Sequence, residues 1–140
     1  MGEYTFFDHT GDFGMEIEAA SVADAYQTLA AGFMDLLLDG SGRIAARERR
    51  KVEVSGVDAA DTMVAFANEV LFLFETEGFL VAEVAIERAS QECFSATLRG
   101  EVRDPARHMI ARIVKAVTHH EARIEEDASG RVRARLIFDL

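Results

Sequence analysis

The sequence predicts an α+β fold, a single domain in which two main helices pack on one face of a largely antiparallel sheet. Three observations carry this expectation. Apolar residues recur at helical spacing over two long stretches, near 22–38 and 58–77. Elsewhere they alternate with polar residues, as half-buried strands require. The strands also come in adjacent runs joined by turns, which favours antiparallel pairing over a βαβ arrangement.

Residues 3–7 read as a strand, Asp8-His9-Thr10-Gly11-Asp12 as a polar turn, and 13–19 as a second strand. In that strand Phe13, Met15 and Ile17 share one face, and Asp12, Gly14, Glu16 and Glu18 the other. Ser21-Val22-Ala23-Asp24 has the form of a capping box, with the Asp24 carboxylate reaching back. The helix it opens runs to about 38, burying Val22, Ala25, Tyr26, Leu29, Phe33, Leu36 and Leu37. Asp39-Gly40-Ser41-Gly42 ends it, with Gly40 in the left-handed position. A strand at 51–57 follows. Asp58 and Asp61 then open a second helix whose stripe is Val64, Ala67, Val70, Leu71 and Phe74, stopped by Gly78. Strands at 79–88 and 93–103 come next, the latter directing Phe94, Ala96, Leu98 and Val102 one way. Asp104-Pro105 begins a turn or short helix. Residues 109–118 suit either element: Ile110, Ile113, Val114 and Val117 have helical spacing, yet Lys115–Thr118 can begin a strand expected by 116–126. Ala128-Ser129-Gly130 turns the chain into a last strand, 131–138, which buries Val132, Ala134, Leu136 and Phe138.

At 140 residues and 49% hydrophobic, the chain has the material for one core, so residues 1–140 read as one domain. The net charge of −10 repels phosphate backbones and argues against direct, strong nucleic-acid binding. It suits a basic protein partner or a cation. Two locally basic runs, 43–51 and 131–135, read as solvated faces. The single cysteine, Cys93, excludes an internal disulfide and a cysteine-rich zinc site, and reads as a buried, inert thiol. The first residues lack a secretory pattern and no apolar run is long enough to cross a bilayer, so a cytoplasmic protein is expected. Exposed sheet edges leave it a monomer or weak dimer.

Three clusters bear on chemistry. The Asp8–Asp12 turn sets carboxylates, an imidazole and a hydroxyl together, a combination for cation binding or acid–base work and equally for Asx turns and caps. In Phe138-Asp139-Leu140, Asp139 faces away from Leu136 and Phe138. If the strands bearing Asp12 and Asp139 are neighbours, these carboxylates and a Leu140 oxygen form an all-oxygen site for a hard cation; otherwise Asp139 is a solvated end. In Lys115-Ala116-Val117-Thr118-His119-His120, the lysine suits a phosphate or a carboxylate, while adjacent histidines on a strand face opposite ways. No P-loop, GxSxG, CxxC or HExxH pattern is present.

Taken in order, these segments resemble the archease family. The carrying residues are Asp8-His9-Thr10-Gly11-Asp12, Asp39 at the end of the first helix, Asn68-Glu69-Val70 running into Leu73-Phe74-Glu75-Thr76-Glu77-Gly78-Phe79, Asp104-Pro105-Ala106-Arg107-His108, Lys115–His120, and Phe138-Asp139-Leu140. The resemblance spans Tyr4 to Leu140. Gly11 stands for the usual Ala, Phe13 for a smaller aliphatic residue, His119 for the usual Tyr, and Ala65-Phe66-Ala67 where many members have a Trp-Leu pair. The resemblance implies a non-catalytic activator of the RtcB-type RNA ligase, which joins a 3′-phosphate or cyclic-phosphate end to a 5′-hydroxyl end in tRNA splicing and RNA repair. It implies promotion of ligase guanylylation on a histidine, multiple turnover and broader nucleotide use. It implies a divalent cation, calcium first, with magnesium or manganese as alternatives, held by Asp12, Asp139 and Leu140. Asp39 and Lys115 are the implied activating residues, with Asp8, His9, Thr10 and His120 in support. The competing readings are a stand-alone metal-dependent phosphoester hydrolase and a general chaperone or modulator of nucleic-acid enzymes.

Overall fold

Local hydrogen bonds set the ends of both helices in the computed structural model, which describes residues 2–9, 11–40 and 42–140, with His9 defined in its backbone alone. In α1 (Val22–Leu38), the Ser21 hydroxyl accepts from the Asp24 amide at 3.1 Å. The Asp24 carboxylate accepts from Ala20 N–H at 3.0 Å and from Gly2 N–H at 2.9 Å, so the cap also ties down the start of the chain. The left-handed residue that ends α1 is Asp39 itself (φ 51°, ψ 44°), one position before the expected Gly40, which is left-handed in turn. Ser41 of that terminator lies outside the described residues. In α2 (Ala59–Glu77), Asp58 accepts from Asp61 N–H at 2.8 Å and Asp61 accepts from Val57 N–H at 2.9 Å. Gly78 closes α2 in the left-handed region.

Seven strands complete the chain: β1 (Glu3–His9), β2 (Asp12–Ala19), β3 (Glu48–Ser55), β4 (Phe79–Ala89), β5 (Cys93–Val102), β6 (Ala116–Glu126) and β7 (Val132–Asp139). All pairings are antiparallel, but the strands divide into two sheets, β1-β2-β7-β6 and β3-β5-β4. The division follows from α1 and the loop after it, which carry the chain away from β2 before β3 begins. Each helix packs on the inner faces of both sheets, α1 against β2 and β4, α2 against β6 and β3. Two-sided packing explains why burial exceeds one stripe. Thr28, Ala30, Gly32, Met34 and Leu38 of α1 are also buried, as are Thr62, Met63, Phe66 and Leu73 of α2. Val22 and Phe74 sit at the margin, partly buried. Tyr26 stacks on Phe94 at 3.9 Å between centroids, and Phe66 meets the edge of both rings.

Several residues depart from the sequence expectation. The inner face of β5 runs Phe94, Ala96, Leu98, but Val102 lies past the edge of the core and is 44% exposed, while Glu101 is buried. Cys93 is half-buried, because its strand neighbour Phe94 takes the inner face. Residues 109–115 form neither helix nor strand. They run extended, so Ile110 and Val114 turn in and Ile113 turns out, 79% exposed. The basic runs are only partly solvated. Arg50 bonds Glu77 at 2.7 Å and lies over the Phe79 ring, and Arg135 is held by Glu16 and Glu121.

β6 is an edge strand, and its free side at Val117 is closed by a side chain. Asn68 of α2 donates from Nδ2 to the Val117 carbonyl at 2.8 Å and accepts from the Val117 amide at 3.0 Å. This amide pair fixes the register of α2 on β6. Replacing Asn68 by Leu leaves two backbone groups unpaired, at about 1–3 kcal/mol each. Urea unfolding of Asn68→Leu is therefore expected to show a stability loss of roughly 2 kcal/mol or more, with an unchanged m-value. A loss under ~0.5 kcal/mol would show that water satisfies Val117 as well.

Candidate functional site

The β1–β2 hairpin is tight: His9 stands across from Asp12 and Asp8 across from Phe13. Gly11 takes φ 76° in its loop, a conformation an alanine reaches only with strain, which accounts for glycine at this position. β2 neighbours β7, with Phe13 opposite Phe138. Extending that register by one residue sets Asp12 opposite Asp139. On the far side of β7, Ala116 pairs with Asp139, and the Lys115 amide donates to the Asp139 carbonyl at 2.7 Å. Three neighbouring strand ends thus bring Asp12, Asp139 and Lys115 together, with Leu140 following directly. Asp12 and Asp139 are half-buried, and Lys115 is exposed.

Asp39 joins this end through Arg112. The Arg112 guanidinium donates to the Leu36 carbonyl at 3.1 Å, approaches the Asp39 carboxylate at 3.6 Å and lies 5.4 Å above the Phe13 ring. The left-handed backbone of Asp39 is uncommon for a residue with a Cβ, and strain of this kind collects at functional positions. Asp8, across from Phe13, lies on the opposite face of the hairpin from Asp12. The His9 side chain and Thr10 lie outside the described residues. His120 lies within the break in β6 register between Thr118 and Arg123, 3.1 Å from the Glu121 carboxylate. The His119 Nε2 is 2.7 Å from Asp61.

A buried polar clamp holds the two loops behind the site. Glu101 receives Arg107 on both oxygens, at 2.6 and 3.2 Å, and the Ala45 amide at 2.6 Å. The neighbouring His108 is fully buried. Its Nδ1 accepts from the Asp104 amide at 2.9 Å, so Nε2 carries the ring proton and donates to the Arg43 carbonyl at 2.8 Å. Gly42 fits beneath: a Cβ there would fall 2.1 Å from the Arg107 carbonyl oxygen. The clamp therefore fixes the loop leaving Asp39 against the segment leading to Lys115. Sequence reasoning did not single out Glu101, Arg112 or Asn68 as parts of this end. The available signals were a polar residue within the apolar stretch of α2 for Asn68, and the Asp104–His108 motif for Glu101.

The chemistry offered is a pair of facing carboxylates with a main-chain oxygen beside them, an oxygen donor set suited to a hard cation. Among the described residues, no three His, Cys, Asp or Glu side chains assemble into a cage that could hold a metal ion. A cation here would rest on Asp12, Asp139 and Leu140, completed by water or by groups from a partner. No helix among the described residues is long and apolar enough to cross a membrane.

The comparisons with known proteins agree with one another. Residues 4–140 match the archease protein family (MTH1598/TM1083). The chain is 31% identical to the protein archease of Thermococcus gammatolerans over 143 aligned positions, covering all of both chains. It is 31% identical to that of Archaeoglobus fulgidus over 132 positions, 93% of this chain and 94% of the relative. The solution structure of Methanobacterium thermoautotrophicum protein 1598 superposes with a TM-score of 0.79 at 26% identity, covering 98% of each chain.

The clamp makes stability acid-sensitive in a defined window. Hydrogen bonds from Arg107, then from the Ala45 amide, hold the Glu101 carboxyl down at about 2, from an ordinary 4.5. A depressed carboxylate stabilises the fold above its ordinary value, and that contribution is lost as pH falls from about 4.5 towards 2. Glu101→Gln is expected to lower Tm at pH 7 and to flatten the fall in Tm across this window. A variant with the same acid profile as the parent would place the sensitivity elsewhere.

Proposed function

Because the chain belongs to the archease family, we propose that it acts in the cytoplasm as the activator of an RtcB-type tRNA-splicing RNA ligase. In this reading it promotes ligase guanylylation, supports multiple turnover and broadens nucleotide use. It is not itself the catalyst. The observation that carries the reading is convergence. Asp12, Asp39, Lys115 and Asp139 come from four separate segments, and the β2–β7–β6 register together with Arg112 brings all four to one end of the molecule.

The chemistry follows from that geometry. Facing carboxylates repel, so Asp12 and Asp139 bind a divalent cation, calcium first, with Leu140 adding an oxygen. When bound, the cation neutralises the pair and offers open positions to a phosphate oxygen. Lys115, with no side-chain partner among the described residues, is available to a phosphate or a ligase carboxylate. Asp39, fixed by the left-handed turn, supplies a second acidic contact. Inserted beside the ligase's nucleotide site, this end orders the site for guanylyl transfer.

Ligation by a cognate ligase under substrate excess tests the reading. Catalytic amounts of this protein are expected to raise turnovers per ligase and speed guanylylation. Asp12→Ala, Asp139→Ala and Lys115→Ala are each expected to remove at least tenfold of the stimulation. Full stimulation by Asp12→Ala would sink the proposal, and RNA phosphoester cleavage by the protein alone, abolished in that variant, would favour a hydrolase. Independently, millimolar calcium is expected to raise Tm in the parent protein and leave Asp12→Asn unchanged, since a ligand specific to the folded state stabilises it.

A further inference from the structure

The large apolar side chains left on the surface are not scattered. Among the described residues, Phe72, Val102, Met109, Ile113, Leu140 and Val57 are the exposed ones. Only Val57 precedes α2; Met109 and Ile113 lie on the segment that leads to Lys115, bonded to Asp139, and Leu140 follows Asp139 directly. Phe72 stands one helical turn after Asn68, on the face of α2 that meets β6. Met109 and Ile113 project from the extended 109–115 segment, 69% and 79% exposed. That segment is well anchored. The Ala111 amide bonds the Leu37 carbonyl at 2.7 Å, Arg112 bonds Leu36, and the Lys115 amide bonds Asp139. The helical alternative for these residues would have buried Ile113 along with Val114. The extended form leaves Ile113 out, where it adds nothing to the core.

We infer that Phe72, Met109 and Ile113 form an apolar collar around the acidic end, and that the collar seats this protein on its RNA ligase next to the ligase's nucleotide site. The inference rests on the activator reading above. Charge selects the occupant. A site that holds a guanine nucleotide and an RNA 3′-phosphate must present cationic groups to those phosphates. The collar surrounds Asp12, Asp39 and Asp139 on a chain of net charge −10, which complements such a surface. The same charges oppose RNA itself, and they oppose a second copy of this chain meeting it end to end. A collar on an already fixed backbone loses little conformational freedom on docking.

The test is stimulation of the cognate ligase titrated against protein concentration, for the parent, Ile113→Asp, Met109→Asp and Lys115→Ala. Both collar positions are exposed, so Tm is expected to stay within a few degrees of the parent. The collar variants are expected to need at least tenfold more protein for half-maximal stimulation, yet to reach the parental maximum. Lys115→Ala is expected to lower the maximum. Unshifted half-maximal concentrations in both collar variants would overturn the collar while the activator reading stood, and so would a lowered maximum at an unchanged half-point. If the parent itself fails to stimulate an active ligase, the activator reading falls and takes the collar's occupant with it. A change in self-association without a change in ligase stimulation would also overturn the assignment, in favour of a second copy.

Discussion

The Glu101 carboxylate is buried at the end of β5, and a charge held there needs hydrogen-bond partners. Its partners come from two loops that are distant in sequence: Ala45 after α1, and Arg107 in the Asp104–His108 turn. His108 adds a second connection between the same loops through the Arg43 carbonyl. One buried charge therefore couples the chain leaving Asp39 to the chain arriving at Lys115. It acts beside the Lys115–Asp139 main-chain bond and the Arg112 contacts that hold the same two segments at the sheet end.

The strand register contributes the remaining half of the site. β2 and β7 are far apart in sequence, yet Phe13 faces Phe138, and Phe138 packs on Phe33 of α1 at 5.1 Å. Sliding the register by one residue would turn Phe138 to solvent, so core packing itself holds the two aspartates opposite each other. Burying aromatic and aliphatic side chains of this size contributes about 1.5–3 kcal/mol each, which holds that register. The placement of both aspartates is thus set by packing that lies one residue away.

Much of this was readable from residue order. Ser21, Asp58 and Gly78 are local signals, and helix ends obey local hydrogen bonds. Alternation around Met15 and Leu136 marked the inner faces because each strand has one dry side. The division into two sheets was not readable, since no local pattern states which strand a given strand pairs with. The all-round burial of α1 was its only trace. Glu101 and Val102 exchanged their expected roles because the core stops at Gly100 and a clamp begins. Ile113 misled for a related reason: its spacing suits a helix, but the bonds from Ala111 and Arg112 to the end of α1 hold this segment outside any helix. Asp12 and Asp139 were legible as members of outward faces, while their adjacency depended on a pairing that only the folded chain displays.

The Asn68 amide on Val117 has a consequence for how this molecule coexists with copies of itself. A sheet grows when an incoming chain bonds the bare backbone along its rim. On β6 the rim at Val117 is already occupied by a side chain that imitates a neighbouring strand. Farther along, His119 is committed to Asp61, and the displaced residues around Glu121 spoil the spacing that a visitor would have to match. At Val117 that border is finished from within, so a strand arriving there finds its hydrogen bonds already taken.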